Sequence, residues 1–204
     1  MAEYIQDAIA SVHPSYPDAD EGWQTIEDVC KGGRCIKAGN ERYLTQLDGQ
    51  SNAEYQAFKE RSTFVNFTKR TKESMCGMLT RKPPEITFAS SDVERLTENV
   101  TLEGHTIKDW VRLVCDQAVS TGRSATVIDW SSEMARPYFA HYTARDVLNW
   151  ASTRSGGTEK LVFLSVRELD EVLNEFLVEE VVKIRRYWIN ELGNVQSDLW
   201  IQTS

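Results

Sequence analysis

The chemistry-bearing residues of this 204-residue chain are few: four cysteines, three histidines and scattered carboxylates. Cys30 and Cys35 flank a glycine pair in CKGGRC. Thiols that close together are candidates for a zinc knuckle or a redox pair. Zinc needs four ligands, however, and Cys76, Cys115, His13, His105 and His141 supply no second close pair. A redox motif has two intervening residues where this one has four, so a turn with free thiols is expected. None of the histidines stands in a recognisable nucleophile motif. Asp129, at the end of an expected strand, and the run Glu168, Asp170, Glu171 have the chemistry for metal-assisted hydrolysis, but acidic residues at strand ends are ordinarily solvated. Neither phosphate-binding glycine motif occurs. The sequence therefore yields no catalytic, cofactor-binding or metal-binding assignment. An enzyme reading would need Asp129, His141 or Cys115 to converge in one pocket.

The remaining signal is basic and aromatic. KIRRYWI at 183–189 and TKRTK at 68–72 carry the residue types that contact nucleic acids. Strand alternation places Lys183, Arg185 and Tyr187 on one face and Ile184, Arg186 and Trp188 on the other, which divides the cations between two surfaces. With 23 Lys and Arg against 31 Asp and Glu, the net charge of -8 argues against tight, sequence-independent nucleic-acid binding by the whole surface. No run reaches the roughly 18 apolar residues of a membrane helix, and the first residues lack a signal-peptide pattern. No membrane association is expected.

Residues 1–50 read as an extended N-terminal arm with one short helix. Its scattered apolar residues make no core, so they must dock on the rest of the chain or on a neighbouring copy. Trp23, Ile26, Val29, Ile36, Tyr43 and Leu44 are accordingly the candidate subunit-interface residues. From Ser51 the pattern predicts an α+β domain over 51–204. Ser51 and Glu54 form a capping box, apolar spacing continues to Leu79, and Pro83 and Pro84 follow. These features predict one long helix over 53–81, with Phe58, Val65 and Leu79 on its buried face. Ser91 and Glu94 start a short helix. A third starts near Thr106, buries Ile107, Trp110, Val111, Val114, Ala118 and Val119, and stops at Gly122 in a left-handed cap. Packed shorter helices are thus followed by a mainly antiparallel sheet: SATVIDW, RPYFAHY, DVLNWAS, LVFLSVREL, FLVEEVVKIRRYWI and VQSDLWIQTS, with glycine turns at 153–160 and 190–194. In the last strand Val195, Leu199 and Ile201 share one face, with Gln196, Asp198 and Gln202 opposite. The chain stops mid-pattern, from which a longer polypeptide is expected.

The segment from Ile26 to Ile86, containing RYLTQLDG and the stop RKPPEI, resembles the N-terminal signature of the tailed-phage portal family. TIKDWVRLVCDQAVSTGRSATVIDW with RPYFAHYTARDVLNW resembles the same family's helix, glycine, strand and return strand. The resemblance covers about residues 24–150, with Thr45 where the family has proline and Thr80 where it has an aromatic residue. It implies an arm and wing-like region that stops before the stem, clip and crown, in a structural subunit without catalysis. Its implied partners are further copies of itself in a dodecameric ring, the terminase large subunit, capsid and scaffold proteins, a head–tail adaptor and the double-stranded DNA passing through the channel. The implied location is the capsid vertex of the virion, after assembly in the host cytoplasm. The alternatives are a phage-borne hydrolase or nuclease, and another head-completion or adaptor protein.

Overall fold

The computed structural model describes residues 11–87 and 91–201. It is an α+β fold, with helices first and antiparallel sheet after them. Two compact units make up the chain. A helical unit comprises Glu21–Gly122 and Trp130–Tyr138; a sheet unit comprises the residues up to Asp20, Arg123–Asp129 and the residues from Phe139 onward.

Residues 16–42 are helical and not extended, which corrects the reading of the arm: α1 is Tyr16–Lys31, α2 is Gly33–Ala38, and a 3-10 turn covers Asn40–Arg42. Gly32, at a φ of 101°, makes the corner between α1 and α2 that only glycine adopts without strain. The long helix expected over 53–81 is instead two helices, α3 (Asn52–Arg61) and α4 (Phe67–Leu79). The capping box of Ser51 and Glu54 opens α3. The interruption falls at Ser-Thr-Phe-Val-Asn, where short polar side chains take over the backbone's hydrogen bonds. Ser62 Oγ donates to the Phe58 carbonyl at 2.8 Å, and Asn66 accepts from the Lys69 N–H at 2.8 Å to cap α4. Asn66 also donates to the Val29 carbonyl at 2.6 Å, tying the break to α1. The expected buried face is likewise corrected: Phe58, Val65 and Leu79 are exposed, while Tyr55 and Cys76 are the buried residues of these helices.

After the short α5 (Ser91–Leu96), α6 (Ile107–Thr121) follows the sequence closely. Thr106 and Asp109 cap it reciprocally, and Gly122 ends it at a φ of 71°. Its stripe is half-buried, with Ala118 exposed.

The strands are β1 (Ala125–Ser131), β2 (Arg136–Tyr142), β3 (Val147–Ser155), β4 (Thr158–Asn174), β5 (Leu177–Ile189) and β6 (Val195–Ile201). β1 and β2 form a hairpin; β3 to β6 form an antiparallel meander in sequence order. The β3–β4 turn uses Gly156 and Gly157, both at positive φ, as a tight two-residue turn requires. The core lies between hairpin and meander, where Tyr142, Val147, Leu164, Val166 and Tyr187 are buried against Ala125, Val127, Ala140 and Trp150. Ala144, Val147 and Leu148 are all buried, and Val147 is the one of them that joins this core. Gln202 and the side chain of the expected cap Ser91 lie outside the described residues.

Candidate functional site

The six candidate interface residues all belong to the helical unit. Trp23 and Ile36 are buried, and Ile26, Val29, Tyr43 and Leu44 are half-buried. The Trp23 indole N–H donates to the carbonyl of Thr121 at the end of α6 (3.1 Å). Tyr43 donates to Asp28 at 2.8 Å, and its ring lies so close to Gly39 that a Cβ there would sit 2.5 Å from it. The Leu44 carbonyl accepts from Tyr55 at 2.7 Å, and Lys37 and Lys59 bridge α2 and the 3-10 turn to α3. Trp23, Tyr43 and Leu44 thus each make a hydrogen bond within the same chain.

All four cysteines are free thiols. Lys72 pairs with Asp116 at 2.9 Å, joining α4 to α6. Burial pushes the Cys76 thiol up, away from the reactive thiolate. Among the described residues no group of three or more His, Cys, Asp or Glu is arranged to hold a metal ion. The histidines are dispersed. His13 stacks on Trp150 with ring centroids 3.8 Å apart; His105 contacts Thr101; His141 contacts Thr126 at 3.2 Å, and burial pushes its pKa down.

Asp129 belongs to a polar network on the inner face of the sheet. Tyr187 donates to Asp129 (3.2 Å) and lies 3.4 Å from the Tyr142 hydroxyl, which donates to Glu168 at 2.7 Å. Arg185 grips both oxygens of Glu168 at 2.7 and 3.2 Å. Burial is the main reason both tyrosine hydroxyls are held far above their ordinary pKa; they act here as hydrogen-bond donors. The basic strand is neutralised in the same way. Lys183 pairs with Asp170 at 2.5 Å, and Arg186 pairs with Asp198 directly across the strand. The alternation expected for KIRRYWI holds, and each of its cations meets a carboxylate of a neighbouring strand. Comparison with known proteins adds nothing to this geometry: no family model matches the chain, and no curated protein matches it.

Among the described residues two exposed apolar surfaces bear on assembly; the sequence reading named the cations of one, TKRTK at 68–72, but not its exposed apolar residues, and did not name the other. One is the distal part of the β4–β5 hairpin. Among the described residues β3 pairs with β4 as far as Val166 and β6 pairs with β5 from Lys183 onward, so Leu169–Val182 form a two-stranded ribbon with no third described strand beside it. Phe176 at its tip is 97% exposed, with Leu169, Leu173, Leu177 and Val178 exposed beside it. Its turn, Asn174-Glu175-Phe176-Leu177, has no glycine or proline to announce it. The other surface is the outer side of α4, where Phe67 and Met78 are 68% and 71% exposed. A cleft of about 320 Å³ follows α4, and its charged lining residues are Lys82, Lys108, Arg112 and Asp109, so the RKPP stop borders a depression with more cations than carboxylates.

Proposed function

We propose that this chain is part of a structural subunit of a tailed-phage portal ring, whose assembled form is the channel for DNA at one capsid vertex. The observation that carries the reading is the ordered set of sequence blocks over about residues 24–150. Within those blocks the RKPP stop follows the end of α4, and the glycine after DQAVST is the left-handed cap between α6 and β1. The polar groups described above support a structural part. Tyr142, Tyr187, Asp129, Glu168 and Arg185 satisfy one another, and the cations of β5 are consumed in cross-strand pairs. Further copies of the subunit, the packaging motor, the shell, its scaffold and the tail adaptor are the partners of this reading, and the capsid vertex its location.

The test is the assembly state of the product of the complete reading frame. Mass measurement and electron microscopy should show closed rings of uniform subunit number. A strictly monomeric product under assembly conditions defeats the proposal.

A further inference from the structure

We infer that the β4–β5 ribbon of one copy docks on the outer face of α4 of the next copy, through a head-to-tail contact. This deepens the ring reading, on which the choice of a second copy as occupant partly rests; the two surfaces themselves are features of this chain. Directly opposed residues of an antiparallel pair share a face. One face of the ribbon therefore carries, in order, Leu169 opposite Val182, Glu171 opposite Glu180, and Leu173 opposite Val178. Two aliphatic pairs flank a like-charge pair, an arrangement that is unfavourable until a cation lies over it. Between Leu169 and Glu180 the ribbon has five carboxylates and no cation. Only Asp170 among them has an ion-pair partner among the described residues.

The outer stripe of α4 has the complementary pattern. Phe67, Arg70, Ser74 and Met78 follow one another at helical spacing, and Arg81 continues the line past the helix end. An exposed apolar residue thus stands on each side of a guanidinium. Lys69 and Lys72 turn to Glu73 and Asp116, whereas Arg70 and Arg81 have no ion-pair partner among the described residues. The lengths agree: four residues of strand from Leu169 to Leu173 span about 13 Å, and the eleven-residue step from Phe67 to Met78 spans about 16 Å. Small Ser74 leaves room between the two apolar anchors.

Charge decides against the symmetric alternatives. A two-fold pairing of ribbons would bring Glu171 and Glu180 of both copies together, and a two-fold pairing of α4 helices would bring the Arg70 side chains together. Each patch is complementary to the other and not to itself, so the contact is heterologous and propagates from copy to copy.

The test uses the 204-residue chain and two charge-reversed variants. One is Glu171→Lys with Glu180→Lys; the other is Arg70→Glu with Arg81→Glu. Sedimentation of the unaltered chain should show association that rises with concentration and weakens with salt. Each variant alone should associate at least about tenfold more weakly. An equimolar mixture should recover the lost association, because each variant then meets a complementary surface on the other; this recovery also shows that both variants are folded. Association unchanged by either reversal, or a mixture that stays as weak as its components, overturns the contact and leaves the ring reading to its own test. An unaltered chain that stays monomeric at all concentrations overturns the contact too. Recovery in the mixture together with open chains and no rings from the complete reading frame would establish the contact and defeat the ring reading.

Discussion

The base and the tip of the β4–β5 hairpin are continuous strands of the same composition class, yet they face opposite physical conditions. At the base Val166 is fully buried, Leu164 and Tyr187 pack beside it, and Glu168 is held by both Arg185 and Tyr142. Three residues further along β4 no described strand lies beside the hairpin. From Leu169 to Glu180 the described side chains are exposed on both faces. An isolated two-stranded ribbon is marginal in water by itself. The base therefore anchors the hairpin, and the tip carries apolar surface that contributes little to the fold. Stability and association should be separable by residue along a single hairpin.

The largest expected contrast is between two glutamates three residues apart. Glu168→Ala leaves Arg185 and the Tyr142 hydroxyl without their shared partner, and we expect a loss of about 3 kcal/mol in urea unfolding, typical of a pair broken from one side. Glu171→Ala should change stability by less than about 0.5 kcal/mol, as at other exposed sites. Equal losses at the two positions would erase the distinction. Truncation of apolar residues sharpens it. Val166→Ala removes two buried methyl groups and should cost about 2 kcal/mol, whereas Phe176→Ala, although it deletes a whole ring, should leave the unfolding midpoint unchanged.

The same contrast explains what the sequence made legible. The strand segments, both glycine turns, the Ser51–Glu54 box and the Gly122 cap were readable because each rests on local chemistry: a left-handed φ, an orphaned N–H, or an alternation of apolar residues. The break between α3 and α4 was also written locally, in Ser62 and Asn66, but the apolar residues around it kept helical spacing and masked the polar signal. Burial was harder to read. Phe58, Val65 and Leu79 have the types of core residues, and nothing in their spacing says that they are exposed. Trp23 and Ile36 mislead in the opposite sense: apolar residues in a glycine-containing segment suggested an open arm, whereas long-range partners such as Thr121 enclose them within the chain. The ribbon escaped notice because it differs from the rest of β4 and β5 only in what is missing beside it.

Acid sensitivity should also belong to the base. Hydrogen bonds from Arg186 hold the Asp198 carboxyl below the usual carboxylate range, and Arg186 in turn lies over the Trp200 ring. A depressed carboxylate pKa contributes stability that is fully present above the unfolded value of about 4 and is lost as the pH falls through the lower folded value. Asp198→Asn should therefore be less stable than the unaltered chain by about 1 kcal/mol near neutrality, with the difference fading below about pH 4. Thermal unfolding across that range measures it. A difference that persists unchanged at low pH would mean that the substituted amide disturbs packing and that the ion pair contributes little.

The smallest effect concerns the turn at the tip, and its expected sign is the opposite of the others. The β3–β4 turn has glycine at both positions of positive φ, Gly156 and Gly157, whereas the β4–β5 turn places Glu175 at a φ of 54°. A residue with a Cβ is strained in that region, and glycine is the usual occupant of the first central position of such a turn. Glu175→Gly relieves the strain but adds conformational freedom to the unfolded chain, so the two contributions partly cancel. We expect a net gain of no more than about 1 kcal/mol in the unfolding free energy. Because the turn lies beyond the residues that β3 and β6 support, the gain should appear mainly as slower amide exchange in Leu173–Val178 and only weakly in global unfolding. A tip selected for the hairpin's own stability would lose, and not gain, on this substitution. Faster exchange in Glu175→Gly would show that the Glu175 side chain holds the turn in the isolated chain, and the separation between an anchoring base and a tip shaped for contact would then fail at its most exposed point.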